Sequence, residues 1–238
     1  MISAVVVDIE GTTSSTEFVT ATLFPYARKR YGDYLAEHAD SPAVVRLLDD
    51  VRNAISEPAA DTARVTAVLE HWTDTDAKVT PLKALQGWIW QEGFASGDLV
   101  SQFFPDVVPA LRRWRAAGLS LAVFSSGSVE AQRAWFSHSP DGDLQPLISA
   151  NFDTENAGPK REPESYRRIS ARLEVAASSL VFLSDVGAEL DAARVAGWDT
   201  VGVRRDGEPA ATAGVGGHRE IRSFAEIAFE TSARPATP

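Results

Sequence analysis

The chain contains no cysteine. That excludes disulfides, thiolate metal centres and cysteine nucleophiles, and it fits a cytosolic location. Basic charge is also scarce: 23 Lys and Arg face 33 Asp and Glu, a formal net charge of −10 over 238 residues. Non-specific binding to nucleic acid rests on Lys and Arg neutralising phosphates, so that function class is excluded, and an anionic membrane surface is an equally poor partner. No apolar run approaches the ~20 residues needed to span a bilayer. The start, Met1-Ile2-Ser3-Ala4, has no basic n-region and no small-residue cleavage site, so no signal peptide is expected. The four histidines, His38, His71, His138 and His218, are scattered without metal-ligand spacing. They read as structural or surface groups, with His138 a candidate for indirect support of a site. An apolar share of 44% excludes disorder along the whole chain.

What is present falls into three stretches. Residues 2–7 form a short run rich in β-branched side chains that ends at Asp8, as a buried parallel strand does. Residues 19–97 read differently. Leu23, Tyr26, Ala27 and Tyr31, and then Val44, Leu48, Val51 and Ile55, are spaced for helix faces, and no strand pattern appears. Ser41-Pro42 and Thr80-Pro81 read as N-cap plus first-turn proline. Beyond Pro105, strands predicted at 119–124, 147–152, 180–183 and 200–203 alternate with helices at 107–117, 129–136, 162–173 and 189–196. This alternation predicts an α/β fold, a doubly wound parallel-sheet (Rossmann-like) core from 1–18 and 98–230. An all-helical domain, 19–97, is inserted into it, and residues 231–238 form a disordered tail. The Gly-, Ala- and Pro-rich stretch 207–217 predicts a mobile loop. Its Gly214-Val215-Gly216-Gly217 does not join a strand to a helix, so it is no nucleotide loop.

Polar groups gather at three strand ends, where open α/β sheets bind their ligands. The first group is Asp8-Ile9-Glu10-Gly11-Thr12, whose two carboxylates point the same way in extended geometry. One suits a nucleophile or metal ligand and the other a general acid. The second is Ser125-Ser126-Gly127-Ser128, hydroxyls and main-chain N–H groups at a helix start that suit an anion. The third is Ser184-Asp185, a carboxylate placed to share a hard cation such as Mg²⁺ with Asp8. Between the second and third lies Lys160, a point charge for a phosphate oxygen. Taken singly, each has an ordinary explanation as a turn, a cap or a solvated lysine. Their joint order is the informative feature.

That order resembles the haloacid-dehalogenase-like phosphatase superfamily, and the helical insert resembles its cap domain. Within it, Asp8-Ile9-Glu10-Gly11-Thr12-Thr13 with Leu23-Phe24-Pro25-Tyr26 is similar to the enolase-phosphatases of methionine salvage, the acireductone synthases. Leu85-Gln86-Gly87, Phe103-Phe104-Pro105-Asp106-Val107-Val108, Ser125 to Gln132 and Phe182-Leu183-Ser184-Asp185-Val186 match too, in blocks running from residue 5 to about 204. Glu10 stands where most of the superfamily carry Asp.

The resemblance implies a small phosphorylated diketone substrate, 2,3-diketo-5-methylthiopentyl-1-phosphate. It would be enolised and then dephosphorylated to the acireductone. It implies Mg²⁺ on the Asp8 carboxylate, the Glu10 carbonyl and the Asp185 carboxylate, with Asp8, Glu10 and Lys160 catalytic and Ser125, Ser126 and Lys160 binding substrate. A cytoplasmic monomer is expected. Glu10 would protonate the leaving oxygen or assist enolisation, and Lys160, Glu10 and Glu130 are all open as the enolising base. The six tryptophans read as packing, with Trp88 and Trp90 the two that could meet the methylthio tail. A phosphatase of the same superfamily acting on another small phosphomonoester is the alternative. A dehalogenase needs neither second carboxylate nor metal, and a catalytically dead binding protein would have lost Asp8, Lys160 or Asp185.

Overall fold

Ala4–Val7 is a strand (β1) because four small or β-branched residues in a row suit a position buried on both faces of a sheet. The computed structural model describes residues 1–77 and 79–229, so the tail expected at 231–238 lies outside the described residues. Five further strands follow: β2 (Ser120–Phe124), β3 (Ala150–Phe152), β4 (Leu180–Ser184), β5 (Asp199–Val203) and β6 (Arg219–Ile221). Among the described residues they make one sheet in the order β3-β2-β1-β4-β5-β6, with every neighbouring pair parallel. β1 is central. Val7 lies beside Val123 on one side and Leu183 on the other, so Asp8, Ser125 and Asp185 emerge along one edge.

The chain divides into two compact units, Glu17–Leu99 and the remainder. The first is built from helices. α1 (Thr16–Phe18) opens at the boundary and runs through a π-helical turn, Val19–Leu23, into α2 (Phe24–Arg28). α3 (Tyr31–Glu37), α4 (Pro42–Ile55), α5 (Thr62–Asp74) and α6 (Thr80–Ser96) follow. The α4 start is as expected, with Ser41 extended and Pro42 in the first turn. α6 differs: Thr80 is already helical and the cap position falls to Val79. The unit closes its own core around Tyr31, Leu35, Val51, Leu69, Leu85 and Ile89. Its one buried polar cluster is satisfied internally: Tyr31 Oη lies 2.7 Å from Thr73 Oγ1 and accepts from Gln86 Nε2 at 3.2 Å.

In the other unit, α7 (Val107–Ala116), α8 (Val129–Ser137), α9 (Pro163–Leu173), α10 (Gly187–Val195) and α11 (Ala210–Ala213) flank the sheet. Ala4, Val6, Phe124 and Phe182 meet Tyr166 and Ile169 of α9 and Leu190 of α10 on one face. The alternate residues Val5, Val7, Leu121 and Val123 are buried on the other. The strand expected at 147–152 begins later, because Gln145–Leu147 with Pro146 forms a 3₁₀ turn. β6 escapes any hydrophobic pattern, since two of its three residues are exposed and charged. The expected loop at 207–217 is anchored: α11 lies within it and Val215 is fully buried.

Gly202 of β5 is required by that anchor. A Cβ there would lie 2.0 Å from Val215 Cγ2. Gly202→Ala is expected to destabilise the protein by about 1–3 kcal/mol through overpacking. Removing the obstructing methyls with Val215→Ala should make the second substitution cheaper than in the parent, so a double-mutant cycle by urea unfolding should give a favourable coupling. Simple additivity would contradict this packing.

Candidate active site

The chain does not stay extended after Asp8. The Ile9 carbonyl accepts from the N–H groups of Thr12, Thr13 and Ser14 at 3.2, 2.9 and 2.9 Å. Gly11 takes a left-handed φ of 69° and its N–H returns to the Ser14 carbonyl at 2.8 Å. A Cβ on Gly11 would lie 2.2 Å from Asp185 Oδ2, so only glycine lets the turn approach that carboxylate. The two acidic residues of the first strand end differ in burial. Asp8 is 4% exposed, whereas Glu10 is an exposed residue whose main chain bridges to Ser14.

Lys160 reaches Asp8 directly. It precedes α9, and its Nζ lies 2.7 Å from Asp8 Oδ1 and 2.7 Å from Glu189 Oε2. The ammonium sits over the Phe124 and Phe182 rings, 5.9 Å from each centroid, and is 7% exposed. Burial works against its charge, but the two carboxylates outweigh that and raise its pKa. Lys160 therefore stays an ammonium. Asp8 Oδ1 also accepts from the Ile9 N–H at 2.8 Å.

Asp185 follows β4, and its N–H donates to Thr12 Oγ1 at 3.0 Å. Its carboxyl is pushed up to about 7, first by burial and then by the Asp8 charge. Its Oδ1 is buried with no hydrogen-bond partner among the described residues. Glu189, in the first turn of α10, is raised by burial and then by Asp8, with Lys160 and Ser184 Oγ opposing. It also accepts from Ser184 Oγ at 3.0 Å. Sequence reasoning missed Glu189. Its signal was its place four residues after Asp185, one helical turn along.

The second strand end is built as a cradle. Ser125 is buried, and its N–H donates to the Phe152 carbonyl at 3.1 Å. Gln132 Nε2 holds the Gly127 and Phe152 carbonyls at 2.8 Å each, and Asp153 Oδ2 accepts from the Val129 N–H at 3.1 Å. Ser128 does what an N-cap does, accepting from the Ala131 N–H. Ser126 is exposed, and neither it nor Ser125 shares a hydrogen bond with Asp8 or Lys160 among the described residues. Glu130 is exposed on α8. Trp90 spends its indole N–H on the Leu23 carbonyl at 2.8 Å, and Trp88 stacks on Tyr34, both at the margin of the helical unit's core.

Three carboxyl groups, Asp8, Asp185 and Glu189, accompany one ammonium, and burial opposes the charge of Asp185 and Glu189. The donor set suits a divalent cation: two carboxylates, one with an orphaned buried oxygen, beside the main-chain carbonyls of a tight turn. Among the described residues no group of three or more His, Cys, Asp or Glu side chains makes a metal cage. Mg²⁺ needs none, since it binds through one or two carboxylates, waters and substrate phosphate.

Comparisons with known proteins agree with this architecture. The family model for haloacid dehalogenase-like hydrolase matches residues 2–197. The chain is 58% identical over 231 residues to enolase-phosphatase E1 of Streptomyces avermitilis, covering 97% of each. It is 55% identical over 225 residues to the protein of the same name from Frankia alni, covering 94% of each. Among solved structures, the UTR4 protein of Saccharomyces cerevisiae aligns with a TM-score of 0.78 and 29% identity, over 95% of this chain and 100% of that one. CbbY from Rhodobacter sphaeroides, solved in complex with phosphate, aligns at 0.60 and 19% identity over 95% and 96%, a likeness of fold alone.

The raised Asp185 carboxyl sets a pH dependence. In the metal-free folded protein it keeps its proton to about pH 7, whereas its ordinary value is 3.8. Between those values the folded state binds more protons than the unfolded chain, so this group makes stability fall as pH rises. Asp185→Asn is expected to flatten that fall in chelator-treated protein and to be about 1–3 kcal/mol more stable than the parent at pH 8. Thermal unfolding from pH 5 to 8 measures it. An unchanged slope would contradict the burial of the Asp185 charge.

Proposed function

The chain belongs to the haloacid dehalogenase-like hydrolase family, and from that membership and the site we propose that it is an enolase-phosphatase of methionine salvage. It enolises 2,3-diketo-5-methylthiopentyl-1-phosphate and hydrolyses the phosphate ester to give the acireductone 1,2-dihydroxy-3-keto-5-methylthiopentene. Full-length identity of 58% to a relative so named carries the substrate assignment. The Lys160 ammonium shared by Asp8 and Glu189 beside Asp185 supports the phosphoryl-transfer half.

We assign the steps as follows. Asp8 attacks phosphorus through its carboxylate, the P–O ester bond breaks, and an acyl phosphate forms on Asp8. Lys160, held as an ammonium 2.7 Å from Asp8 Oδ1, neutralises oxygens of the transferring group. Ser125, Ser126 and the N–H groups of their turn take the remaining phosphate oxygens. The Asp8 carboxylate, the Glu10 carbonyl and the Asp185 carboxylate would hold Mg²⁺, which would supply charge neutralisation and orientation of the phosphate. Glu10, on the exposed side of the turn, protonates the leaving oxygen and then takes a proton from the water that hydrolyses the acyl phosphate. Lys160 drops out as the enolising base because its proton is stabilised by two carboxylates. Glu10 and Glu130 are left as the candidates. The helical unit Glu17–Leu99 is assigned to the cap domain that the resemblance implies. A cytoplasmic monomer is part of this proposal. No helix of the described residues is long and apolar enough to cross a membrane.

The test is an ultraviolet time course with the diketo-phosphate and Mg²⁺, with phosphate measured in parallel. The expected record is a transient enol absorbance followed by phosphate and acireductone. Phosphate from generic phosphomonoesters but none from this compound would leave a phosphatase of other specificity. Glu10→Gln is expected to keep calorimetric Mg²⁺ binding, since the ligand is a main-chain carbonyl, yet to lose phosphate release by about 10²-fold or more. Loss of Mg²⁺ binding in that variant would contradict the ligand assignment.

A further inference from the structure

The loop after β1 is held from outside by a second set of charged residues that the chemistry above does not use. Arg205, two residues past β5, is buried with its side chain 5% exposed. Its guanidinium lies between the Phe104 and Phe224 rings, 4.6 and 4.9 Å from their centroids. Nη1 donates to both oxygens of Asp106 at 2.8 Å each and to the Arg222 carbonyl at 3.0 Å. Nε donates to the Thr12 carbonyl at 3.1 Å. Thr12 in turn accepts the Asp185 N–H on its hydroxyl. Three residues on, Glu208 is 7% exposed, and its Oε2 accepts from the Thr16 N–H at 3.0 Å. One short segment therefore grips the Asp8-bearing loop at both Thr12 and Thr16.

Stability alone explains this poorly. A buried Arg–Asp pair is often no better than apolar residues of the same volume. Here Arg205 Nη2 is buried with no hydrogen-bond partner among the described residues, which adds a desolvation penalty. Asp106 is fixed in turn. Burial pushes its pKa up, but hydrogen bonds from Arg205 and the Phe224 N–H outweigh burial and hold it below its ordinary value. The fork geometry of the guanidinium is what the arrangement uses. One donor reaches the loop while another is locked to Asp106, an arrangement that an ammonium cannot reproduce.

We propose that Arg205, anchored by Asp106 and aided by Glu208, is a positioning brace that sets the Ile9–Thr16 turn, and through Thr12 the Asp185 main chain, in register for phosphoryl transfer. The proposal rests on the assignment of Asp8 and Asp185 to the reacting site. A brace of this kind acts on the transition state more than on substrate binding, because a shift of about 1 Å in a reacting group costs about 10²-fold in rate.

The experiment compares Arg205→Lys, Glu208→Ala and Glu208→Gln in the full-length protein. It reads the thermal midpoint, kcat and KM for the diketo-phosphate and for p-nitrophenyl phosphate, and calorimetric Mg²⁺ binding. Arg205→Lys should lower kcat by about 10- to 100-fold with KM within about 3-fold, in protein fully folded at the assay temperature, and should weaken Mg²⁺ binding several-fold. Glu208→Ala should lower kcat by about 10-fold, and Glu208→Gln, which keeps an oxygen for the Thr16 N–H, should recover most of it. The brace is overturned if folded Arg205→Lys keeps kcat within about 3-fold of the parent, or if its kcat loss is matched by the unfolded fraction. Should Arg205→Lys fail to fold, the two Glu208 variants decide, and equal loss in both refutes the proposal. A parent that cleaves p-nitrophenyl phosphate but not the diketone removes the substrate assignment while the brace is still read on the first compound. A parent active on neither leaves Mg²⁺ binding as the readout, and unchanged affinity in Arg205→Lys then overturns the brace.

Discussion

The site depends on one ammonium shared by two carboxylates in a place with little water. Lys160 touches Asp8 and Glu189 at 2.7 Å each, and its other neighbours include the rings of Phe124 and Phe182. Buried charges are tolerated only when paired and hydrogen-bonded. The topology satisfies that condition. β1 lies between β2 and β4, so residues distant in sequence end their strands side by side. α10 starts just past β4 and carries Glu189 on its first turn, against Ser184 Oγ. Lys160 itself is steadied by Tyr166, whose hydroxyl donates to the Lys160 carbonyl at 2.8 Å while its ring packs against Phe124 and Phe182. The aromatic core and the charged site are thus one construction, joined through α9.

The turn after β1 is the second constraint, and it follows from the first. Thr12, Thr13 and Ser14 are all fully buried, an unusual density of polar residues in a row. Each has a specific use. The Thr13 hydroxyl donates toward the Asp8 and Ile9 carbonyls, and the Thr13 carbonyl accepts from the Phe104 N–H. Ser14 Oγ accepts from the Trp135 indole at 3.1 Å. Thr12 joins Asp185 to Arg205. The turn is therefore held by groups following β2, β4 and β5 and by the segment before α7. This explains why a stretch that looks like a loop in sequence behaves as part of the core.

The strand ends were legible because a parallel strand covered on both faces writes a continuous apolar run, and the polar residue that ends it is conspicuous. Asp8, Ser125 and Asp185 were found that way, and their order pointed to the family. Glu189 was not, because a glutamate in a helix's first turn has an ordinary reading as a dipole partner. Arg205 and Glu208 were hidden more deeply. Their partners lie 99 and 192 positions away in the chain, and nothing local marks a charged residue as buried. β6 was invisible because its charged residues, Arg219 and Glu220, are exposed and leave only Ile221 to show a pattern. The turn after Asp8 was not legible in this detail: β1 ends at Val7, and Gly11 takes the left-handed φ at which its N–H returns to the Ser14 carbonyl.

Charge accounting connects these parts to the chemistry. Asp8, Asp185 and Glu189 outnumber Lys160, and burial first, then the Asp8 charge, raises the pKa of both Asp185 and Glu189. A phosphate dianion brought to such a site adds to the repulsion unless positive charge arrives too, and at low effective dielectric that repulsion is several kcal/mol for each close pair. Arg205 cannot supply the charge, since its guanidinium is committed to Asp106 and its sole loop contact is to a carbonyl. A divalent cation, as proposed above, would supply that charge. It also gives the orphaned Asp185 Oδ1 a use: an oxygen buried without a donor is costly for the protein alone, and it becomes an asset once a hard cation is bound.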